Sequence, residues 1–388
     1  MKYDFDLNTD RRGTNASKWL VGENELPMWI ADMDFKTAPQ ITDAICKRAD
    51  HGIFGYTEPD DEWEEAYINW WKARHGLDIK KGSLIFCTGI VPAISSIVRK
   101  LTTPNENVLI QSPVYNIFYN SIINNGARVL ESPLIYDGES YRMDFDDLEK
   151  KMADPQTSLM ILCNPHNPVG RIWSKEELAK VGSLALQYHV TVISDEIHCD
   201  IVRPGLSYVP FASVSKECEK VSITCIAPTK AFNLAGLQTA AVMVPDEFLR
   251  HKVWRGLNTD EVAEPNAFAV LAPIAAFNES GDWLDEMREY VFENRKVIED
   301  YIKTDIPSIK CVKGDATYLV WIDISSLNSD GNTVASFLRE KTGLYLSAGN
   351  AYGTTGENFL RLNAATSRER ITDGLSRLKN GIEMFINR

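Results

Sequence analysis

The chain has 388 residues, 44% of them hydrophobic and 24% charged, enough for about two or three domains around a large buried core. Its 54 acidic against 41 basic side chains leave a formal charge of −13, which repels phosphate backbones and anionic lipid and argues against nucleic-acid and membrane partners. The opening Met1-Lys2-Tyr3-Asp4-Phe5-Asp6 is charged with no apolar core, so no signal peptide is read there, and no run nears the ~20 apolar residues of a bilayer span.

The first predicted element is a helix that starts at Asp60 and Asp61 and ends near Gly76. Its Trp63, Tyr67, Trp70 and Trp71 fall at i, i+4, i+7 and i+8, a stripe that fits core or a subunit contact. From about residue 80 the chain alternates short β-rich runs with helical stretches. Residues 84–88, 107–110, 127–130, 158–163, 190–193, 221–226 and 239–244 read as seven strands, nearly all apolar, which implies helices on both sheet faces. Ser174 with Glu177 forms a capping box that opens a helix running to about His189. The expected fold is α/β with a mostly parallel seven-stranded sheet.

After about residue 282 a long amphipathic helix, Trp283 to Ile302, leads into a second pattern. It holds Thr317 to Ile322, a helix near Val334 to Lys341, Leu344-Tyr345-Leu346, Phe359 to Leu362 and a C-terminal helix. The predicted division is an N-terminal segment, 1–45, joining the smaller domain; a large domain, 46–282; and a small C-terminal α/β domain, 283–388. The seven cysteines are odd in number and mostly sit in apolar runs, as expected of reduced thiols in the cytoplasm. Without His/Cys pairs at ligand spacing, no metal is expected.

Open parallel sheets bind ligands at the carboxyl ends of their strands, and the candidate residues gather there. Thr88-Gly89-Ile90-Val91-Pro92 follows the first strand and enters a helix, so the free amides of Gly89, Ile90 and Val91 suit a phosphate, although many such turns only reverse the chain. Tyr115 follows the second strand and suits either stacking on a flat ring or plain packing. Asn164-Pro165-His166-Asn167-Pro168-Val169-Gly170 is a rigid turn that aims Asn167 inward, or a loop that merely leaves the sheet.

Asp195 closes the next strand, where burial would be costly without a cation. His198, three residues on, fits a hydrogen bond to a phenolic oxygen or a structural role. Lys230 ends the run Val221 to Ile226 within Ala227-Pro228-Thr229-Lys230-Ala231-Phe232-Asn233. An amine and an anion at neighbouring strand ends are the pair that pyridoxal phosphate needs, the first for its aldehyde and the second for its ring nitrogen. Arg361 interrupts an apolar strand, which fits a clamp on a substrate carboxylate or an internal salt bridge.

Taken together, Asn-Pro-His-Asn-Pro-Val-Gly, Ser-Asp-Glu-Ile-His, Thr-Lys-Ala-Phe-Asn and Arg-Leu-Asn resemble the fold-type I pyridoxal-phosphate enzymes of the class I/II aminotransferase superfamily, in order and spacing over nearly the whole chain. Pro27 to Phe35, Phe54-Gly55-Tyr56-Thr57 and Asp195 to Asp200 are similar to its cystathionine β-lyase and cysteine-S-conjugate β-lyase subgroup, where Trp-x-Ala-Asp-Met-Asp-Phe replaces the Gly-x-Pro of typical aminotransferases. His198 stands where most aminotransferases have Tyr, Gln238 where they carry a phosphate-binding Arg, and Ala227 where a phosphate-binding Ser is common.

The resemblance implies an aspartate-aminotransferase-like fold and pyridoxal 5′-phosphate held by Lys230, Asp195, His198, Asn167, Tyr115, Gly89, Ile90, Val91, Thr229 and Tyr56, the last from a second subunit. It implies substrate contacts at Arg361, Ala31, Asn167, Tyr115 and Asn350, with Tyr56 and Tyr115 as candidates for proton delivery. The expected reaction is β-elimination from L-cystathionine or a related cysteine S-conjugate, giving a thiol, pyruvate and ammonia. The alternative is an aminotransferase that needs a 2-oxo acid acceptor. A homodimer with shared sites is also implied, with Tyr56 and the Trp-rich helix at its two-fold interface.

Overall fold

The computed structural model describes residues 2–388. The seven expected strands all form: β1 (Leu84–Cys87), β2 (Asn107–Ile110), β3 (Arg128–Glu131), β4 (Thr157–Cys163), β5 (Thr191–Asp195), β6 (Ser222–Ile226) and β7 (Ala240–Met243). They make one sheet in the order β1-β7-β6-β5-β4-β2-β3, parallel except for β7, which runs against both of its neighbours. Side chains on both faces are buried, Ile193 and Cys225 with the helix that follows β1, Val192 with Trp173 and Leu178 on the other side. That two-sided burial is what the uninterrupted apolar runs require.

Local signals set the helix ends. The Asp60 carboxylate caps α1 (Asp61–His75) by accepting from Trp63 N, acids fill its first turn and bases its last, and Gly76 takes the left-handed conformation that stops it. After α2 (Ile90–Leu101), the Ser174–Glu177 capping box opens α3 (Lys175–Gln187), with both reciprocal hydrogen bonds formed. The aromatic stripe of α1 lies inside the chain: Trp63, Tyr67, Trp70 and Trp71 are buried, and Phe277 packs against the last three. Of the two readings of the stripe, core is the one the chain built, since its own residues cover those rings.

The C-terminal part begins with α4 (Gly281–Asp305), a helix longer than the pattern indicated. A second, antiparallel sheet orders β8 (Lys310–Cys311), β9 (Leu319–Asp323), β11 (Phe359–Asn363) and β10 (Ser347–Ala348) as β8-β9-β11-β10. Helices α5 (Gly331–Thr342) and α6 (Arg368–Ile386) pack with it around Ile298, Ile322, Leu338 and Leu378. Leu344-Tyr345, expected in this sheet, instead pairs in parallel with Leu26-Pro27, because a turn at Gly343 (φ 71°) brings it beside the N-terminal segment. Ser347–Ala348 takes the sheet edge instead.

The N-terminal segment is held by buried charge. Asp34 accepts from Lys18 Nζ at 2.9 Å, Trp19 Nε1 at 2.9 Å and an Arg11 amine at 3.0 Å, and Arg370 of α6 lies 3.6 Å away. Burial alone would raise this carboxyl, but Lys18, Trp19 and Arg370 overcome it and hold it at about 2. Asn233 then ties the segment to the large sheet, accepting from Met33 N and donating to the Met33 and Phe35 carbonyls.

Candidate active site

A cavity of about 820 Å³ opens at the carboxyl ends of the parallel strands, between the two sheets. Each strand end delivers a side chain to it. Gly89 follows β1 and caps α2 without a side-chain partner, so the amides of the first helical turn face the cavity with no intrahelical acceptor. A Cβ on Gly89 would come within 3.3 Å of Pro92 Cδ, which makes this a close-packed turn. Ile90, Val91 and Thr229 line the same end, and Gln238 joins them in a left-handed conformation (φ 53°). No arginine lines this end, so a phosphate there would rely on backbone amides, the helix dipole, Thr229 and Gln238.

At the centre, Asp195 ends β5 and is buried, with Ile197 N donating to one oxygen at 3.2 Å. Burial, opposed by that hydrogen bond and reinforced by neighbouring Glu196, pushes its carboxyl up to about 7. Its charge lacks a hydrogen-bonded cation, which is the environment a protonated ring nitrogen would complete. His198 is buried, burial and the charges of Lys230 and Arg361 push it down to about 3, and its Nδ1 has no partner. A neutral imidazole with a free nitrogen suits a ring hydroxyl. Tyr115, packed edge-on against Phe118, is pushed up to about 12 chiefly by burial, so it stays a neutral donor.

Lys230 Nζ donates to the Ala31 carbonyl at 2.5 Å, and burial lowers the amine to about 8 despite the opposing pull of Asp32. Arg361 is buried, and its amines donate to Asn167 Oδ1 at 3.2 Å and the Trp29 carbonyl at 2.8 Å, while its Nε has no partner. Among the described residues it pairs with no carboxylate, so the internal salt bridge is not what the chain built. An unneutralised buried guanidinium leaves room for an incoming anion.

Eleven of the thirteen expected site residues therefore meet in one cavity: Lys230, Asp195, His198, Asn167, Tyr115, Gly89, Ile90, Val91, Thr229, Arg361 and Ala31. Two do not. Tyr56 is fully exposed and outside the cavity. Asn350 is also absent from its lining: its Oδ1 accepts from Asn332 N at 2.9 Å, at the start of α5. Other lining residues escaped the sequence reading. Among them α5 contributes a face that only its i, i+3, i+4, i+7 spacing would have shown, and, behind the lining, Tyr318, on the approach to β9, donates to the same Ala31 carbonyl at 3.1 Å. Away from the cavity, His75, Cys199 and Asp200 lie together, but Asp200 already accepts from Trp70 Nε1 and contacts His75 Nε2 at 2.9 Å.

The family model described as aminotransferase class I and II matches residues 24–378. The chain is similar to cystathionine beta-lyase PatB of Bacillus subtilis (strain 168), 43% identical across 97% of this chain and 99% of the relative. Among solved structures it resembles cystalysin from Treponema denticola, which contains a pyridoxal 5′-phosphate cofactor, at TM-score 0.96 and 31% identity over 99% of this chain and 100% of the other. It also resembles the PLP-bound C-S lyase from Staphylococcus hominis, at TM-score 0.91 and 34% identity over 98% and 99% of the two chains.

Proposed function

Because this chain belongs to the family of class I and II aminotransferases, we propose that it is a pyridoxal-phosphate-dependent carbon–sulfur β-lyase, releasing a thiol, pyruvate and ammonia from L-cystathionine or related cysteine S-conjugates. The observation that carries this reading is the meeting of Lys230, Asp195 and Arg361, all buried, at one cavity on the strand ends. The cofactor supplies an aldehyde for amines and a cationic ring that withdraws electrons from the substrate's Cα. In this reading Lys230 holds its aldehyde carbon, Asp195 its ring nitrogen, His198 and Asn167 its ring oxygen, Tyr115 a ring face, and the Gly89, Ile90 and Val91 amides with Thr229 its phosphate.

Each residue then has a task in the reaction. Arg361 would grip the substrate α-carboxylate and so fix the amino acid with its Cα–H bond within reach of Lys230. Lys230 would be freed when the substrate's amino group takes its place on the aldehyde, and its amine, lowered to about 8 and so partly neutral near pH 7, would take the Cα proton. Asp195 stays ionised against the cationic ring nitrogen and so keeps that nitrogen protonated. The Cβ–S bond then breaks, its electron pair leaves on the thiolate, Tyr115 or Tyr56 delivers a proton to it, and water hydrolyses the three-carbon remainder to pyruvate and ammonia.

The same reading places Tyr56 in the cavity of a second copy of the chain: Ile53, Phe54 and Tyr56 are all exposed on one loop, and Tyr56 is fully so. It keeps the division at 1–45, 46–282 and 283–388, and it places the protein in the cytoplasm, in keeping with seven unpaired cysteines. Among the described residues no helix is long and apolar enough to cross a membrane. The deciding experiment incubates purified protein and cofactor with L-cystathionine and no acceptor. Pyruvate, ammonia and free thiol support the lyase; silence there, with activity once 2-oxoglutarate is added, makes it an aminotransferase.

A further inference from the structure

We propose that Tyr318 is a positioning residue for the Lys230 amine: its hydroxyl and the Ala31 carbonyl form a dock that holds the amine whenever it is not joined to the cofactor. The hydroxyl also limits how strongly that dock favours the charged form. This rests on the lyase reading above and adds a residue to its proton transfer. The Ala31 carbonyl has two lone pairs and two donors, Lys230 Nζ at 2.5 Å and the Tyr318 hydroxyl at 3.1 Å. An amine that gives one N–H to this oxygen has its remaining positions turned to the cavity that Lys230 lines. When the amine leaves for the cofactor, Tyr318 stays as the partner of the carbonyl.

More than packing holds the hydroxyl in place. Tyr318 is buried, its ring meets His198 edge-on with centroids 6.0 Å apart, and burial pushes its phenol far up, so it remains a neutral donor. The residue before it, Thr317, is buried at φ 65°, a left-handed backbone that a β-branched side chain resists. Hydrogen bonds fix that conformation. Thr317 N donates to the Ile201 carbonyl at 2.7 Å and Leu319 N to Thr317 Oγ1 at 3.1 Å. Buried Arg295 of α4 donates to the Gly314, Ala316 and Thr317 carbonyls at 3.0, 2.7 and 2.9 Å. Strain that the surroundings over-determine in this way marks a placement with a use. A phenylalanine would fill the same space, so the use of the hydroxyl lies at the Ala31 carbonyl.

The charges around Lys230 leave its protonation balanced. Burial lowers the amine most, to about 8; Asp32 of the N-terminal segment and Asp195 at the end of β5 pull the other way, and Arg361 of β11 adds to the lowering. His198, Tyr115 and Cys163, which line the same cavity, are neutral. The Ala31 carbonyl favours the ammonium, because a hydrogen bond from a charged donor is stronger than one from a neutral donor. A proton that Tyr318 donates to the same oxygen offsets part of that dipole. Removing it leaves the whole carbonyl to the ammonium and raises the amine.

The test reads the Lys230 amine directly. In full-length protein freed of cofactor, competitive labelling with acetic anhydride across pH, followed by peptide mass spectrometry, gives the midpoint of its deprotonation. The acid limb of kcat with L-cystathionine and no acceptor reads the same group in the holoenzyme. Tyr318→Phe is expected to raise the labelling midpoint by about 0.5–1 in pH and to move the acid limb up by the same step, so that kcat falls about three- to tenfold at low pH and recovers at high pH. KM should change by less than about twofold, since Arg361 holds the substrate. Thr317→Gly, which relaxes the turn but keeps the hydroxyl, should move the midpoint the same way by a smaller step, and it decides the matter should Tyr318→Phe not fold. An unmoved midpoint, or a loss of kcat equal at every pH, overturns the dock. Should L-cystathionine yield no thiol with the wild type, the lyase reading fails, and the labelling midpoint, which needs neither cofactor nor substrate, still decides the role of Tyr318.

Discussion

Asp195 illustrates a residue whose position costs the fold stability. Its carboxyl is held at about 7 by burial, above the ordinary value near 4, so the cofactor-free folded chain binds a proton that the unfolded chain releases. Stability contributed by this group therefore falls as pH rises from about 4 to about 7 and stays low above that. Asp195→Asn is expected to raise the melting point of the cofactor-free protein at pH 8, by the equivalent of about 1–3 kcal/mol, with little change at pH 4. The same variant should bind the cofactor more weakly; thermal melts at both pH values, with absorbance titration of the cofactor, check both halves. Arg361→Lys keeps the charge but loses the planar fork, and KM for the amino acid should rise by about tenfold or more in steady-state assays. Both residues were legible in the sequence because a charge within an apolar strand has few structural uses. That Asn350 meets Asn332 N at the start of α5 depends on a fold of the chain that local pattern does not reveal.

Among the elements, the strands and helix ends were the most legible, since caps and apolar runs are local. Gly76 shows the strength of such a signal: at φ 65° it ends α1 in a conformation that any side chain resists, and nothing lies within 4 Å of a Cβ there. Gly76→Ala should cost about 1 kcal/mol through backbone strain alone, measurable by denaturant unfolding with an unchanged slope. Leu344-Tyr345 was illegible for the opposite reason. Two residues cannot announce a partner more than 300 positions away, and Leu26-Pro27 reads as no strand in isolation. The stacking of Trp29 on Tyr345, with centroids 5.0 Å apart, follows from that same pairing, so it too lay beyond sequence patterns.

For the whole molecule, composition and the alternation of elements gave the class of fold, while the proposed interface between copies rests on one exposed loop. If Tyr56 completes the partner's cavity, mixing inactive Lys230→Ala protein with impaired Tyr56→Phe protein, then allowing exchange, should restore about a quarter of wild-type activity. Half of the dimers would be hybrids, each with one intact site. No recovery after exchange verified by native mass spectrometry would mean that each chain works with its own residues. The aromatic stripe of α1 left core and subunit contact open at this scale, because an apolar face on a helix does not say whether a neighbouring chain or its own will cover it.

The ion cluster around Asp34 bears on how far the amino-terminal end can be trimmed. Lys18 is almost wholly enclosed, and it, Arg11 and Trp19 all reach the same carboxylate from the first twenty residues. Deleting that stretch would leave buried Asp34 with Arg370 alone, 3.6 Å away, a loss of roughly 3–5 kcal/mol for buried partners removed, and would loosen the neighbouring Ala31 carbonyl on which Lys230 rests. A shortened protein lacking residues 1–20 is therefore expected to be soluble only poorly and to retain little cofactor, as gel filtration with absorbance detection would show, whereas extensions ahead of Lys2 should be harmless.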